Sequence, residues 1–123
     1  MGIGAFSLSL AVKDIKVSMA FYETLGFKRF GGALDEKWII MQNGDVTIGL
    51  FEGMFEKNML TFNPGWNDQA ENLDAFKDIR EIQKELKEKG IQFESEVEIN
   101  TEGPGSFVIN DPDGNPILVD QHR

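Results

Sequence analysis

The chain opens on an alternation. Phe6, Leu8, Leu10 and Val12 are large and apolar, and Ser7, Ser9 and Ala11 between them are small. Period two predicts a strand over 5–12 with one face on a core. Its other face suits either a cavity wall or a side open to water. From Asp14 the period lengthens: Ile15, Met19, Tyr22 and Leu25 fall at helical spacing, with Asp14 as N-cap and Gly26 as stop. A short strand over 27–30, a turn at Gly31-Gly32 and a strand over 38–41 follow. Asn43-Gly44-Asp45 is a hairpin turn, after which Val46, Ile48 and Leu50 alternate with Thr47, Gly49 and Phe51.

The second half repeats this plan. A strand is expected over 59–63, with Leu60 and Phe62 on one face. Asp78 opens the pattern D-I-R-E, a capping box closed by Glu81, and Ile79, Ile82 and Leu86 mark the inner side of a helix that Gly90 ends. A strand over 91–94 and a final hairpin over 107–121 complete the chain. The repetition extends to single residues. Lys13-Asp14-Ile15 and Lys77-Asp78-Ile79 are the same tripeptide, and Gly26 and Gly90 each stand twelve positions after their Asp. Two tandem βαβββ units are therefore expected, over about 5–52 and 58–121, within one domain spanning 1–123. The fold class is α+β. Two stretches have no counterpart in the repeat. The link over 51–57 carries Phe51, Met54 and Phe55, and the segment over 64–77 carries Trp66. Each reads as a plain surface loop, a lid, or an apolar patch covered by a second subunit.

Composition narrows the function classes. The 123 residues carry a net charge of -9, from 12 basic and 21 acidic residues. That argues against a phosphate backbone or an anionic membrane as partner. There is no cysteine, so disulfide and thiolate chemistry are excluded. No stretch reaches the length of a membrane span, and no basic-then-apolar leader is seen. A cytoplasmic location is the expectation.

The closing hairpin is the most specific stretch. Phe107 to Ile117 reads FxxxDPDGNxI, with Asp111-Pro112-Asp113-Gly114-Asn115 as the reversal. This wording, together with the repeated unit, resembles the vicinal oxygen chelate superfamily. That family includes glyoxalase I enzymes, extradiol dioxygenases, and fosfomycin and bleomycin resistance proteins. The resemblance covers nearly the whole chain. It implies two βαβββ units whose sheet curls into a cup, and for the enzymes a divalent metal on the cup floor. The four ligand positions, carried over one at a time, fall on Ser7, Gly49 (or Ile48 if the register differs by one), Met59 and Leu118. Ser, Gly, Met and Leu do not make a hard or borderline metal site. The lone histidine, His122, is next to the C-terminal residue and is expected to be solvated. Glu52 has the opposite parity to Gly49 and is expected to face away. No metal and no cofactor are therefore expected.

The alternate face of each strand supplies a candidate lining: Ser7 and Ser9; Thr47, Gly49 and Phe51; Met59, Thr61 and Asn63; Leu118 and Asp120. Trp38 and Phe107 join it with a parity that the pattern does not settle, and Trp66 joins it from the unmatched segment. The mixture of aromatic groups and a few polar handles is that of a small-molecule site, and its plainer alternative is ordinary core. No residue is assigned a catalytic role, Asp120 being the one candidate base. The expected function is binding of a small organic molecule without a metal, in a sequestering or resistance role and as a homodimer. Three alternatives stay open. They are a metal-dependent lyase or dioxygenase with ligands placed elsewhere, a metal-free enzyme using Asp120, and an interaction module with a collapsed cup.

Overall fold

A computed structural model describes residues 2–123 and divides the chain into two compact units, Ser7–Met59 and Leu60–Arg123, the latter joined by residues 2–6. The first βαβββ sequence is β1 (Ala5–Val12), α1 (Ile15–Thr24), β2 (Lys28–Ala33), β3 (Trp38–Asn43) and β4 (Val46–Glu52). The second is β5 (Met59–Asn63), α2 (Ile79–Glu88), β6 (Phe93–Ser95), β7 (Gly105–Asn110) and β8 (Pro116–Gln121). Strand order is β2-β3-β4-β1 in the first and β6-β7-β8-β5 in the second. In both, the outer strands run as antiparallel neighbours, and the opening strand pairs in parallel with the last. The α+β class and the repeat thus stand as expected.

Each helix covers one face of its own strands. Under α1, Ile15, Ile39, Met41, Ile48 and Leu50 form a closed cluster, with Leu8, Leu10 and Val12 against it. Under α2 the equivalents are Ile79, Ile82, Val97, Phe107 and Val119. The repeated Asp-Ile step is a cap followed by the first core residue. Asp14 accepts from Lys16 N and Val17 N, Asp78 accepts from Arg80 N, and Ile15 and Ile79 are 4% and 0% exposed.

A second repeated feature ties each helix to its strands. The Ile15 N–H donates to Glu52 Oε1 at 3.0 Å, and the Ile79 N–H donates to Gln121 Oε1 at 2.8 Å. Glu52 ends β4 and Gln121 ends β8. The first N–H of α2 is therefore met from β8. Gln121 Nε2 continues to Asp78 Oδ1 and to the carbonyls of Gly103 and Arg123. Arg80, 8% exposed, donates to Asp78, Thr101 and Gly103, and Gln83 exchanges two bonds with the Val97 backbone. These contacts hold the long 96–104 connection against α2. Desolvation pushes the Asp78 carboxyl up, but the bonds from Gln121 and Arg80 prevail and hold it below its ordinary range.

Element ends differ from expectation in two places. The predicted Gly31-Gly32 turn lies inside β2, which runs on to Ala33 past a bulge between Arg29 and Gly31. Gly32 has φ 104°, and a Cβ there would sit 2.6 Å from the Trp38 carbonyl, so glycine serves a close strand approach and not a reversal. The chain turns later, through a 3₁₀ turn over Leu34–Glu36 and Lys37 at φ 66°. The strand expected over 91–94 is Phe93–Ser95.

Gln121→Ala would strip a buried N–H and a partly buried carboxylate of their partner. Urea denaturation is expected to show a loss of about 1–3 kcal/mol, against about 3–5 kcal/mol for Phe107→Ala in the core of the same unit.

Candidate functional site

Strand registers decide which side chains share the face opposite each helix. In the first unit Ser9 pairs with Gly49 and Ala11 with Phe51, while Leu8, Leu10, Ile48 and Leu50 lie on the helix side. Across β3 and β4, Trp38 pairs with Phe51, Ile40 with Gly49 and Gln42 with Thr47. Trp38, Phe51, Gly49, Thr47 and Ser9 therefore share the face away from α1, and Ser7, two residues before Ser9, has the same parity. The face is closely filled over Gly49, where a Cβ would lie 2.5 Å from the Phe51 ring and 3.3 Å from Ile40 Cδ1. Phe55 of the link packs on Phe51 at 5.4 Å between centroids, and Gln42 Nε2 donates to Thr47 Oγ1. The expected parity of Glu52 holds. It lies on the helix side, where the Ile15 N–H and then Lys37 hold its carboxyl below the ordinary range.

In the second unit Thr61 pairs with Leu118, Val108 with Leu118 and Ser106 with Asp120. Thr61, Asn63, Leu118 and Asp120 thus share the face away from α2, and Met59, two residues before Thr61, has the same parity. Asn63 Nδ2 donates to the Asp120 carbonyl at 2.8 Å. Phe107 does not join this set. It pairs with Val119, is 0% exposed, and meets Phe93 edge-on beneath α2. The positions it was expected to fill belong to Ser106 and Val108. Turn length carried that information. Asn110 pairs with Pro116 around a five-residue reversal, so residues whose numbers sum to 226 face each other and Phe107 falls opposite Val119.

The unmatched segment is not a free loop. Its turn brings Trp66 onto His122, with ring centroids 4.7 Å apart and planes within 5°. His122 Nε2 donates to Asp120 Oδ2 at 3.1 Å, and the Trp66 indole N–H donates to Asn72 Oδ1 at 3.1 Å. Arg123 lies over the Phe76 ring at 4.5 Å and donates to the carbonyls of Gly65 and Leu73. His122 is exposed, as expected of a terminal residue, with a side chain 46% open to solvent, and it is in addition stacked and paired. Nothing in a single sequence marks the stacking, because Trp66 lies far from His122 along the chain. The arrangement presents an aromatic plane, an imidazole and a carboxylate side by side. The bond to Asp120 lifts the His122 pKa above its ordinary range, against a smaller opposing effect of burial.

An open groove of about 870 Å³ lies elsewhere, between the start of α1 and the β2–β3 loop. Lys13, Lys16, Arg29 and Lys37 line it together with Asp14 and Glu52. The first helical N–H groups there are already taken by Asp14 and Glu52, so the groove is not a ready anion site.

The four positions at which the resemblance would set metal ligands offer no suitable donors. Gly49 has no side chain and lies under Phe51, Leu118 and Met59 supply an aliphatic group and a thioether, and Ser7 a neutral hydroxyl. Among the described residues no group of three or more His, Cys, Asp or Glu side chains could hold a metal ion. Nor is any helix there long and apolar enough to cross a membrane.

His122 and Trp66 make the site's pH dependence measurable. The His122 pKa is raised, so the stability from its pairing with Asp120 is fully present below the unfolded value of about 6.5. It is lost as pH rises through the higher folded value. In a Trp38→Phe background, Trp66 emission is expected to titrate above about pH 6.5, and His122→Gln to abolish the transition.

The comparisons with known proteins agree with this picture. Residues 4–119 match the family model described as Glyoxalase/Bleomycin resistance protein/Dioxygenase superfamily. No curated protein matches the chain in sequence. Among solved structures, a glyoxalase/bleomycin resistance protein/dioxygenase superfamily member from Vibrio splendidus 12B01 matches with TM-score 0.63 and 20% identity, over 94% of this chain and 97% of that one. A protein described as NAD-dependent benzaldehyde dehydrogenase from Legionella pneumophila matches with TM-score 0.70 and 16% identity, over 96% and 99%. Homoprotocatechuate 2,3-dioxygenase from Arthrobacter globiformis matches with TM-score 0.57 and 19% identity, over 97% of this chain but 35% of that one. At these identities the likeness is one of fold.

Proposed function

The chain belongs to the glyoxalase/bleomycin resistance protein/dioxygenase superfamily, and we propose that it is a member that binds a small organic molecule without a divalent metal. The observation that carries this reading is the donor set on the faces away from the helices. Where a metal would need imidazoles and carboxylates, these strands present Ser7, Gly49, Met59 and Leu118. In the second unit the Trp66 ring, the Asn63 amide and the Asp120 carboxylate suit an organic ligand instead. The Asp120 carboxylate is paired with His122 beside the Trp66 ring. A sequestering or resistance role follows from binding without chemistry. The net charge of -9 accords with a neutral or cationic ligand and with a cytoplasmic protein acting away from nucleic acid and membranes.

Elemental analysis of protein purified without added metal or chelator tests the reading. Far less than one equivalent of Zn, Ni, Mn or Fe per chain is expected, with no thermal shift on adding these ions. Flat aromatic and cationic compounds are then expected to change Trp38 or Trp66 emission saturably. Asp120→Asn should weaken the response by roughly 1–3 kcal/mol. One equivalent of tightly held metal would overturn the proposal and favour a metal-dependent lyase or dioxygenase.

A further inference from the structure

The imidazole of His122 is held by its neighbours rather than holding them. Trp66 is set without it: its backbone bridges to Asn72, and its indole N–H donates to Asn72 Oδ1 at 3.1 Å. Asp120 is set by β8, where it pairs with Ser106, and its carbonyl accepts from Asn63 Nδ2 at 2.8 Å. On one side of His122 the backbone is fixed by Gln121, 1% exposed and bonded to Asp78. On the other it is fixed by Arg123, which donates to the carbonyls of Gly65 and Leu73. With both flanks anchored, rotation about the His122 side-chain bonds suffices to carry the ring into solvent.

What that rotation leaves behind is a prepared slot. It has an aromatic plane, now 4.7 Å from the imidazole centroid and within 5° of parallel, and a carboxylate oxygen, now 3.1 Å from Nε2. A plane and a carboxylate so placed receive a flat group that carries an N–H donor. His122 brings such a group from within the chain, yet its side chain is 46% exposed. We propose that His122 is an internal stand-in for the ligand, and that the part of the ligand recognised here is a flat nitrogen group, an imidazole or amidine, which displaces the His122 ring from Trp66 and Asp120. The inference rests on the organic-ligand reading above and narrows it. Binding becomes a competition, in which the apparent affinity is the intrinsic one reduced by the fraction of time the slot is open. The competition also sets specificity. A flat group with no donor replaces the stack but leaves Asp120 without its partner, and an anion is repelled by the carboxylate.

His122 is the only histidine in the chain, so its ring protons give unambiguous NMR signals, displaced by the Trp66 ring while the two are stacked. Benzamidine, a flat aromatic amidine, is the probe. Added to wild type, it is expected to move these signals saturably toward those of an unstacked histidine. Calorimetry should show it binding about five- to twentyfold tighter to His122→Ala than to wild type. The gain should be lost when Asp120→Asn is added. Methylimidazole, the missing side chain itself, should bind His122→Ala more tightly than wild type, and benzoate should bind neither. Equal or weaker binding of benzamidine to His122→Ala would overturn the inference and leave the organic-ligand reading standing. Benzamidine binding to wild type with the His122 signals unmoved would overturn it too, and needs no variant to fold. If neither probe binds any of these proteins, the inference fails. A saturable Trp66 response to other flat compounds would then preserve the broader reading, and its absence would remove both.

Discussion

In each half of the chain, the first N–H of the helix is bound by a side chain from the last residue of the unit's last strand. Glu52 serves Ile15 and Gln121 serves Ile79. A helix start carries several backbone donors with no partner inside the helix, and a buried one left unmet is costly. Meeting it from the strand sets where the helix begins, how it lies on the sheet, and which face of β4 and β8 is turned inward. Everything on the opposite face follows. If Glu52 and Gln121 point toward the helices, Phe51 and Asp120 point away. The two ties differ in their surroundings. Glu52 is reached by Lys37 at a partly open edge, whereas Gln121 is buried among Asp78, Gly103 and Arg123. The neutral amide suits the buried position, where it can both accept from Ile79 and donate to Asp78.

The faces away from the helices then depend on which side chains are small. Gly49 allows the Phe51 ring to fold over the strand, and Ser9 beside it is buried. In the second unit the C-terminal residues take on a packing role. His122 and Arg123 reach the segment over 64–76 through a stacked ring, a cation over Phe76 and two carbonyl contacts. The chain's end and its unmatched segment thus hold each other in place. An aromatic plane and a carboxylate are left on the same side as Thr61 and Asn63.

The repeat has diverged in chemistry more than in backbone. Caps, first core residues and helix stops are retained in both units, since these serve each unit's own folding. The positions free to vary are those facing outward from the helices or away from them. There the first unit carries apolar groups on α1 and the second carries charges on α2.

What a single chain of letters determined here was local. Period-two and helical spacing, Asp caps and Gly stops identified both helices and nearly every strand, because each depends on neighbours within a few residues. The parity of β1, β4, β5 and β8 was legible too, since alternation alone sorts Leu8 from Ser9 and Val119 from Leu118. Tertiary structure decided what depends on partners far apart in sequence. Phe107 went to the core because the hairpin register set it opposite Val119. β2 ran through two glycines because its neighbour β3 offered a ladder and a close approach at Gly32. His122, at a terminus that sequence alone would leave in water, found Asp120 beside it and Trp66 more than fifty residues away. Such contacts leave no local period behind, so only the folded chain displays them.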